Sequence, residues 1–162
     1  MKKILAVVAL VCVGLFAGSA CAQTSTSSAA EQAIRPLMAK MGKAAGVHDA
    51  DAFMAFMLHS PDLVYAINGR VIHGWKALHA AQLKWWSRGK DNTKGAPGGA
   101  PEFMALGPDV EIVTLQIVAR YPLPNGKIVT SPFVATSVWQ HLPQGWRIVY
   151  GHESWAKPRP GG

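Results

Sequence analysis

The sequence predicts an α+β fold, with helices in the first half of the chain and antiparallel strands in the second. Between residues 28 and 88, apolar side chains recur mainly at the helical spacing of three and four residues. From residue 103 onward, apolar and polar side chains alternate, which is the period of a strand. Helices and antiparallel strands that are segregated along a chain indicate an α+β architecture.

The first predicted helix begins at a capping motif. Ser28 precedes Glu31 by three residues, as in a capping box. Gly46 is suited to the end of the helix, and Pro36 indicates that the helix either begins near this proline or is kinked there. The apolar stripe of this helix is formed by Ile34, Leu37, Met38 and Met41.

Two further helices and a hairpin are predicted before residue 88. Asp49 or Asp51 caps the second helix. The dipeptide Asn68-Gly69 joins two apolar runs, at residues 63–67 and 70–73, and such a dipeptide favours a tight hairpin turn. The third helix is predicted over residues 76–88, where Leu78, Gln82, Trp85 and Trp86 mark its stripe.

A segment rich in glycine and proline separates the two halves. Residues 89–102 read "GKDNTKGAPGGAPE", which predicts a loop of a length that is usually functional or mobile. The strands predicted after it cover residues 103–106, 110–121, 127–141 and 146–155.

The N-terminus has the three parts of a secretory signal peptide. Met1-Lys2-Lys3 is basic, residues 4–17 are apolar, and Ala20-Cys21-Ala22 fits the small residues of a cleavage site. We therefore expect a signal peptide at residues 1–22, one domain at 23–157, and a flexible tail at 158–162. A membrane anchor is disfavoured because Gly14, Gly18 and Ser19 interrupt a run that would need about 20 apolar residues.

Export makes the cysteine count informative. The two cysteines, Cys12 and Cys21, both lie in the predicted signal, so the mature domain has no disulfide and no thiolate site. Lipidation of Cys21 is a minority alternative, because Gly18 stands where such signals place an aliphatic residue. The predicted location is periplasmic or secreted. The net charge of +7 does not predict nucleic-acid binding, because the basic residues are scattered.

Three stretches carry a resemblance to a known superfamily. "HDADAFMAFML" is similar to its second-helix segment, and "GRVIHGWKAL" to the strand that ends in glycine before its third helix. "TSVWQHLPQGWRIVYGHES" is similar to its last hairpin. The chain thus resembles the SnoaL-like members of the nuclear transport factor two (NTF2)-like superfamily over about residues 28–155.

The resemblance implies a curved antiparallel sheet that forms a cone, closed by three helices around a central pocket. It also implies a homodimer, since many relatives pair through the outer face of the sheet. It leaves the activity open, because one fold carries many functions. Isomerases of the superfamily use an Asp base on the first strand of the hairpin, where this chain has Ala66, and no Asp or Glu occurs between Leu63 and Lys90.

The last predicted strand contains most of the polar candidate site residues. Side chains alternate along a regular strand, so His152 and Glu153 are expected on opposite faces. Arg147 and Glu153 mark one face as the solvent or dimer side, which assigns Tyr150, His152 and Ser154 to the pocket. "HESWA" lacks the second histidine of a zinc motif and lies on a strand.

The predicted pocket is aromatic and contains one candidate base. His152 is the candidate for proton transfer, with Tyr65 or Tyr150 as its partner. No metal site and no cofactor are predicted. The predicted pocket residues are Tyr65, Trp75, Trp86, Trp139, Tyr150, His152 and Ser154.

Three functions are compatible with these observations. The first is an exported domain that binds a small, largely apolar molecule, and the missing carboxylate base favours it. The second is a lyase or isomerase, dehydratase-like or cyclase-like, that uses a pocket histidine with a tyrosine. The third is a protein-interaction module that uses the outer face of the sheet.

Overall fold

The computed structural model describes residues 28–87, 93–123 and 125–156. The predicted signal peptide and the predicted tail at 158–162 lie outside these residues, so the export and domain boundaries remain predictions. In the described part of the chain, no helix is long and apolar enough to cross a membrane.

Three helices precede most of the sheet. They are α1 (Ala29–Gly46), α2 (Ala50–Met54) and α3 (Trp75–Ser87). The Ser28 hydroxyl accepts a hydrogen bond from the Glu31 backbone N–H at 2.9 Å, and the Asp49 carboxylate does the same for Ala52. Of the two aspartates considered for the second cap, Asp49 is therefore the one that is used. Pro36 lies inside α1.

Seven strands form one curved sheet that is not closed. They are β1 (Val64–Ile67), β2 (Arg70–His73), β3 (Lys94–Pro97), β4 (Glu102–Gly107), β5 (Val110–Pro122), β6 (Ile128–Leu142) and β7 (Gly145–Trp155). Their order is β2-β1-β7-β6-β5-β3, and β4 also pairs with β5. All pairs are antiparallel except β1 with β7. This architecture confirms the predicted α+β cone with its helices in the N-terminal half.

The hairpin turn follows the prediction. Asn68 and Gly69 both have positive φ angles, of 50° and 72°, which a two-residue type I′ turn requires at both positions. The turn fixes the register of β1 on β2, in which Ile67 pairs with Arg70. The side chain of Tyr65 is thereby directed to the concave face of the sheet.

The segment predicted as a loop is partly a strand. Residues 94–97 form β3, which pairs with residues 117–120 of β5. Only one edge of β3 is paired. An edge strand of this kind tolerates Pro97, because proline lacks the N–H that a strand paired on both edges would need. The loop prediction is wrong for these four residues and for Glu102, which begins β4, and residues 88–92 lie outside the described part of the chain.

The apolar core fills the space between the helices and the concave face of the sheet. Ile34 of α1, Met54 of α2 and Leu78 of α3 are fully or almost fully buried there. Trp139 of β6 is completely buried, and its indole N–H donates to the Ser137 hydroxyl at 3.0 Å. This packing leaves the other end of the cone, near the C-terminal halves of α1 and α3, free for a cavity.

Candidate functional site

A bulge in β7 changes which side chains face the inside of the cone. Tyr150 pairs with Val138 of β6, but Trp139 pairs with Ile148, so Val149 is an extra residue on β7. On the edge of β7 that faces away from β6, the neighbouring segment changes at this bulge. Before the bulge, Ile148 makes backbone hydrogen bonds with Phe56 and Leu58, and after it β7 pairs with β1.

The predicted inner face of β7 is therefore wrong beyond Val149. Tyr150, His152 and Ser154 are exposed on the outer face, and none of them lines the cavity. Gly151 and Glu153 face the cavity instead. The physical reason is that one inserted residue reverses the alternation for the rest of the strand.

Two of the predicted pocket tryptophans also lie elsewhere. Trp139 belongs to the closed core and does not line the cavity. Trp75 stands at the start of α3, where its ring is stacked between His59 and His79 with centroid distances of 4.1 and 4.5 Å. Its indole N–H donates to the Met54 carbonyl at 3.1 Å, which fixes it outside the cavity.

The cavity has a volume of about 280 Å³ and is lined mainly by apolar groups. Among the predicted pocket residues, Tyr65 and Trp86 line it. Trp86 packs edge-to-face on Phe53, with ring centroids 5.2 Å apart, and lies beside His48. The rest of the wall includes Met41, Met57, Ile67, Leu115, Ile117 and Phe133.

Glu153 is a carboxylate that strict alternation along β7 assigns to the outer face, but it lines the cavity. The Tyr65 hydroxyl donates to Oε1 of Glu153 at 2.6 Å, and the indole N–H of Trp155 donates to Oε2 at 2.7 Å. Each carboxylate oxygen thus holds one donor and keeps a further lone pair. The Trp155 ring is in turn stacked on Phe133, with centroids 4.0 Å apart.

Tyr65 acts as a fixed donor to this carboxylate. Burial raises the pKa of the Tyr65 phenol well above its usual value, and the charge of Glu153 and their hydrogen bond raise it further. The phenol therefore stays protonated at neutral pH. The ring can reach Glu153 because it crosses Gly151, its direct neighbour in the β1–β7 register, where no side chain intervenes.

One signal in the sequence pointed to this arrangement. Gly151 lies in the middle of the predicted last strand, and an isolated glycine in a strand often marks a bulge or a close approach. Here both are present, since the bulge is two residues before Gly151 and the Tyr65 ring packs directly on it. Glu153 could have been assigned to the cavity only by reading Gly151 in this way.

The described residues contain no cluster of potential metal ligands. Within residues 28–87, 93–123 and 125–156, no group of three His, Cys, Asp or Glu side chains could hold an ion.

No known protein-family model matches the sequence, and no curated protein matches it. Many solved structures, in contrast, are similar to it in fold. An NTF2-like protein of unknown function from Shewanella oneidensis has 22% identity and a TM-score of 0.61, over 76% of this chain and 97% of that one. Another, from Pseudomonas putida, has 20% identity and a TM-score of 0.66, over 79% and 87%.

A third solved structure bears a functional name. A ketosteroid isomerase-like protein from Erwinia carotovora has 15% identity and a TM-score of 0.62, over 78% of this chain and 96% of that one. Similarity at this level of identity establishes the fold alone. The chain therefore has the NTF2-like fold, with a cavity that contains a carboxylate in its wall.

Proposed function

We propose that this protein binds a small, largely apolar molecule in the cavity of its cone. The observation that supports this most is the cavity itself. It is close in size to the smaller ligand sites of proteins, at about 300 Å³, and has the apolar wall and few polar groups that such sites have. Three polar groups of its wall, those of Tyr65, Glu153 and Trp155, also meet at one place and can orient a ligand.

Filling the cavity is expected to weaken binding. Ala135 lies on β6 and pairs with Glu153, and it lines the cavity. Ala135→Phe should lower the affinity for N-phenyl-1-naphthylamine, a neutral apolar probe, by about tenfold or more, since an added aromatic ring occupies the probe's space. The measurement is probe fluorescence during titration with the protein.

The matched control is Thr130→Phe, which adds a ring on the exposed face of the same strand. It should leave the affinity unchanged. Equal binding by both variants, with circular dichroism spectra like that of the wild type, would mean that the probe does not occupy the cavity.

Proton-transfer catalysis is the second candidate, and one contact favours it. A carboxylate and a protonated phenol joined at 2.6 Å can act as a base and an acid toward one ligand. The lyase or isomerase predicted from the sequence would then use Glu153 in place of His152, and its partner would be Tyr65, one of the two tyrosines predicted for this role. This second function would be favoured by a molecule that the wild type binds and converts to a product, and that the Glu153→Gln variant binds but does not convert.

The outer face of the sheet supports a homodimer as partner. Cross-strand register places five side chains in one row: Val64, Tyr150, Val138, Ile112 and Met104. Tyr150 is 38% exposed and Met104 is 60% exposed, so the row presents a continuous apolar strip to solvent. We propose that a second copy covers it, because a self-complementary sheet face suits a twofold interface.

Charge at the centre of this row is expected to separate the subunits. Tyr150→Glu should convert the dimer to a monomer in light scattering at micromolar concentration, because the carboxylate would have to be buried without a partner. Ile128→Glu changes an exposed apolar residue near the start of β6, outside this row, and should leave the dimer intact. A monomeric wild type would contradict the proposal.

A further inference from the structure

The charge in the cavity wall is unbalanced. Glu153 makes no ion pair with any side chain in the described part of the chain, and no Lys or Arg among those residues lines the cavity. The other titratable groups in the wall are Tyr65, which is neutral, and His48, whose ring lies against Trp86. Glu153 is half-buried, and a ligand that fills the cavity would exclude solvent from its carboxylate.

A ligand that fills the cavity therefore has to compensate the negative charge of Glu153. The donors from Tyr65 and Trp155 satisfy one lone pair on each oxygen, but they bring no positive charge. Desolvating a carboxylate without a counter-charge is unfavourable. A neutral ligand would leave this cost in place, and an anionic one would add repulsion.

The walls around the carboxylate favour the same kind of ligand. The stacked pair Trp155–Phe133 stands directly beside Glu153, and Tyr65 borders it on β1. Trp85 and Trp86 line the cavity from α3. Aromatic faces attract cations as well as apolar groups, and the attraction is strongest where water is excluded.

We infer that the ligand is an apolar amine or ammonium compound, whose cationic nitrogen binds the Glu153 carboxylate while its hydrocarbon body occupies the cavity. This inference rests on the proposed binding function and specifies the chemical class of the ligand. The N–H of a protonated primary, secondary or tertiary amine would donate to the free lone pairs of the carboxylate. Tyr65 and Trp155 hold the carboxylate in a fixed orientation for this contact.

Three naphthalene compounds that differ in charge test the inference. They are 1-naphthylmethylammonium, 1-naphthalenemethanol and 1-naphthoate, titrated into the full-length protein by calorimetry at pH 7.5. The ammonium compound should bind about tenfold more tightly than the alcohol, because its hydrogen bond to Glu153 joins two charged groups. The naphthoate should bind most weakly.

Glu153→Gln should remove the preference and keep the fold. Glutamine can accept from Trp155 and donate to the Tyr65 oxygen, so the network survives without its charge. In this variant the ammonium and the alcohol should bind equally. Glu102→Gln removes an exposed carboxylate from β4, outside the cavity, and should keep the wild-type preference.

The outcomes separate the inference from the function on which it rests. If the alcohol binds as tightly as the ammonium or more tightly, or if the preference survives in Glu153→Gln, the ligand class is wrong but apolar binding stands. If none of the three compounds binds, the proposed binding function itself is contradicted. A preference that Glu153→Gln removes and Glu102→Gln retains supports both.

Discussion

Replacing Gly151 with alanine is expected to lower the free energy of unfolding by about 3 kcal/mol, as severe overpacking does. A Cβ atom at this position would lie 2.5 Å from Cδ2 of Tyr65 and closer still to Cε2. Non-bonded carbon atoms pack at about 3.5 to 4.0 Å, so the ring and the methyl group cannot both keep their places.

The strands cannot separate to relieve this overlap. Tyr65 and Gly151 are direct partners in the parallel ladder of β1 and β7, and the residues on both sides of them are paired as well. The Tyr65 ring has to rotate away, which breaks its hydrogen bond to Glu153 and opens a space in the core. Urea unfolding followed by tryptophan fluorescence measures the loss of stability.

A double-mutant cycle with Tyr65→Ala shows whether the ring is the cause. In the Tyr65→Ala background, alanine at position 151 should cost less than about 1 kcal/mol, because its methyl group then meets no ring. Gly95→Ala is the matched strand control, since its nearest atom, Cγ2 of Ile117, is 3.4 Å away and can move. An equal cost of Gly151→Ala in both backgrounds would contradict the proposed packing.

Those parts of the fold that depend on local patterns could be predicted from the sequence. The helix cap at Ser28 and the turn at Asn68-Gly69 depend on neighbouring residues, and both formed as expected. The second cap is formed by Asp49, one of the two aspartates predicted for it. The long strands β5 and β6 were also predicted to within one residue at each end. In these elements a single periodicity holds from one end to the other.

Pairing between distant segments could not be read in the same way. The segment 94–97 has no strand pattern, and it becomes β3 because the exposed edge of β5 supplies hydrogen-bonding partners. The bulge at Val149 likewise depends on the different neighbours of β7 on its two sides. Because that one residue decides whether His152 or Glu153 faces the cavity, the candidate site could not be derived from alternation alone.

Removing the charge of a buried carboxylate, that of Glu111, is expected to change the stability of the protein. Glu111 pairs with Trp139 of the core. Glu111 of β5 is 1% exposed, and its Oε2 atom has no hydrogen-bond partner among the described residues. Burial raises the pKa of this carboxyl, and the charge of Glu31 raises it further. A buried charge without a full set of partners destabilises the folded state.

Glu111→Gln is therefore expected to stabilise the protein at pH 7, by about 1 to 2 kcal/mol. The folded-state pKa lies above the unfolded value of about 4.3, so the folded state binds the proton more tightly. The favourable contribution of protonated Glu111 is full below the unfolded pKa and is lost as the pH rises through the folded pKa. The stabilisation by glutamine should thus be small near pH 4 and reach its plateau above the folded pKa.

Thermal or urea unfolding at intervals between pH 4 and pH 8 measures this difference. Glu102→Gln serves as the control, because it removes an exposed carboxylate from the adjacent strand and should show almost no such pH dependence. Because burial is the larger cause of the shift, Glu31→Gln should leave most of the pH dependence of Glu111 in place. A stabilisation by Glu111→Gln that stays constant from pH 4 to pH 8 would show that the charge of Glu111 is not its source.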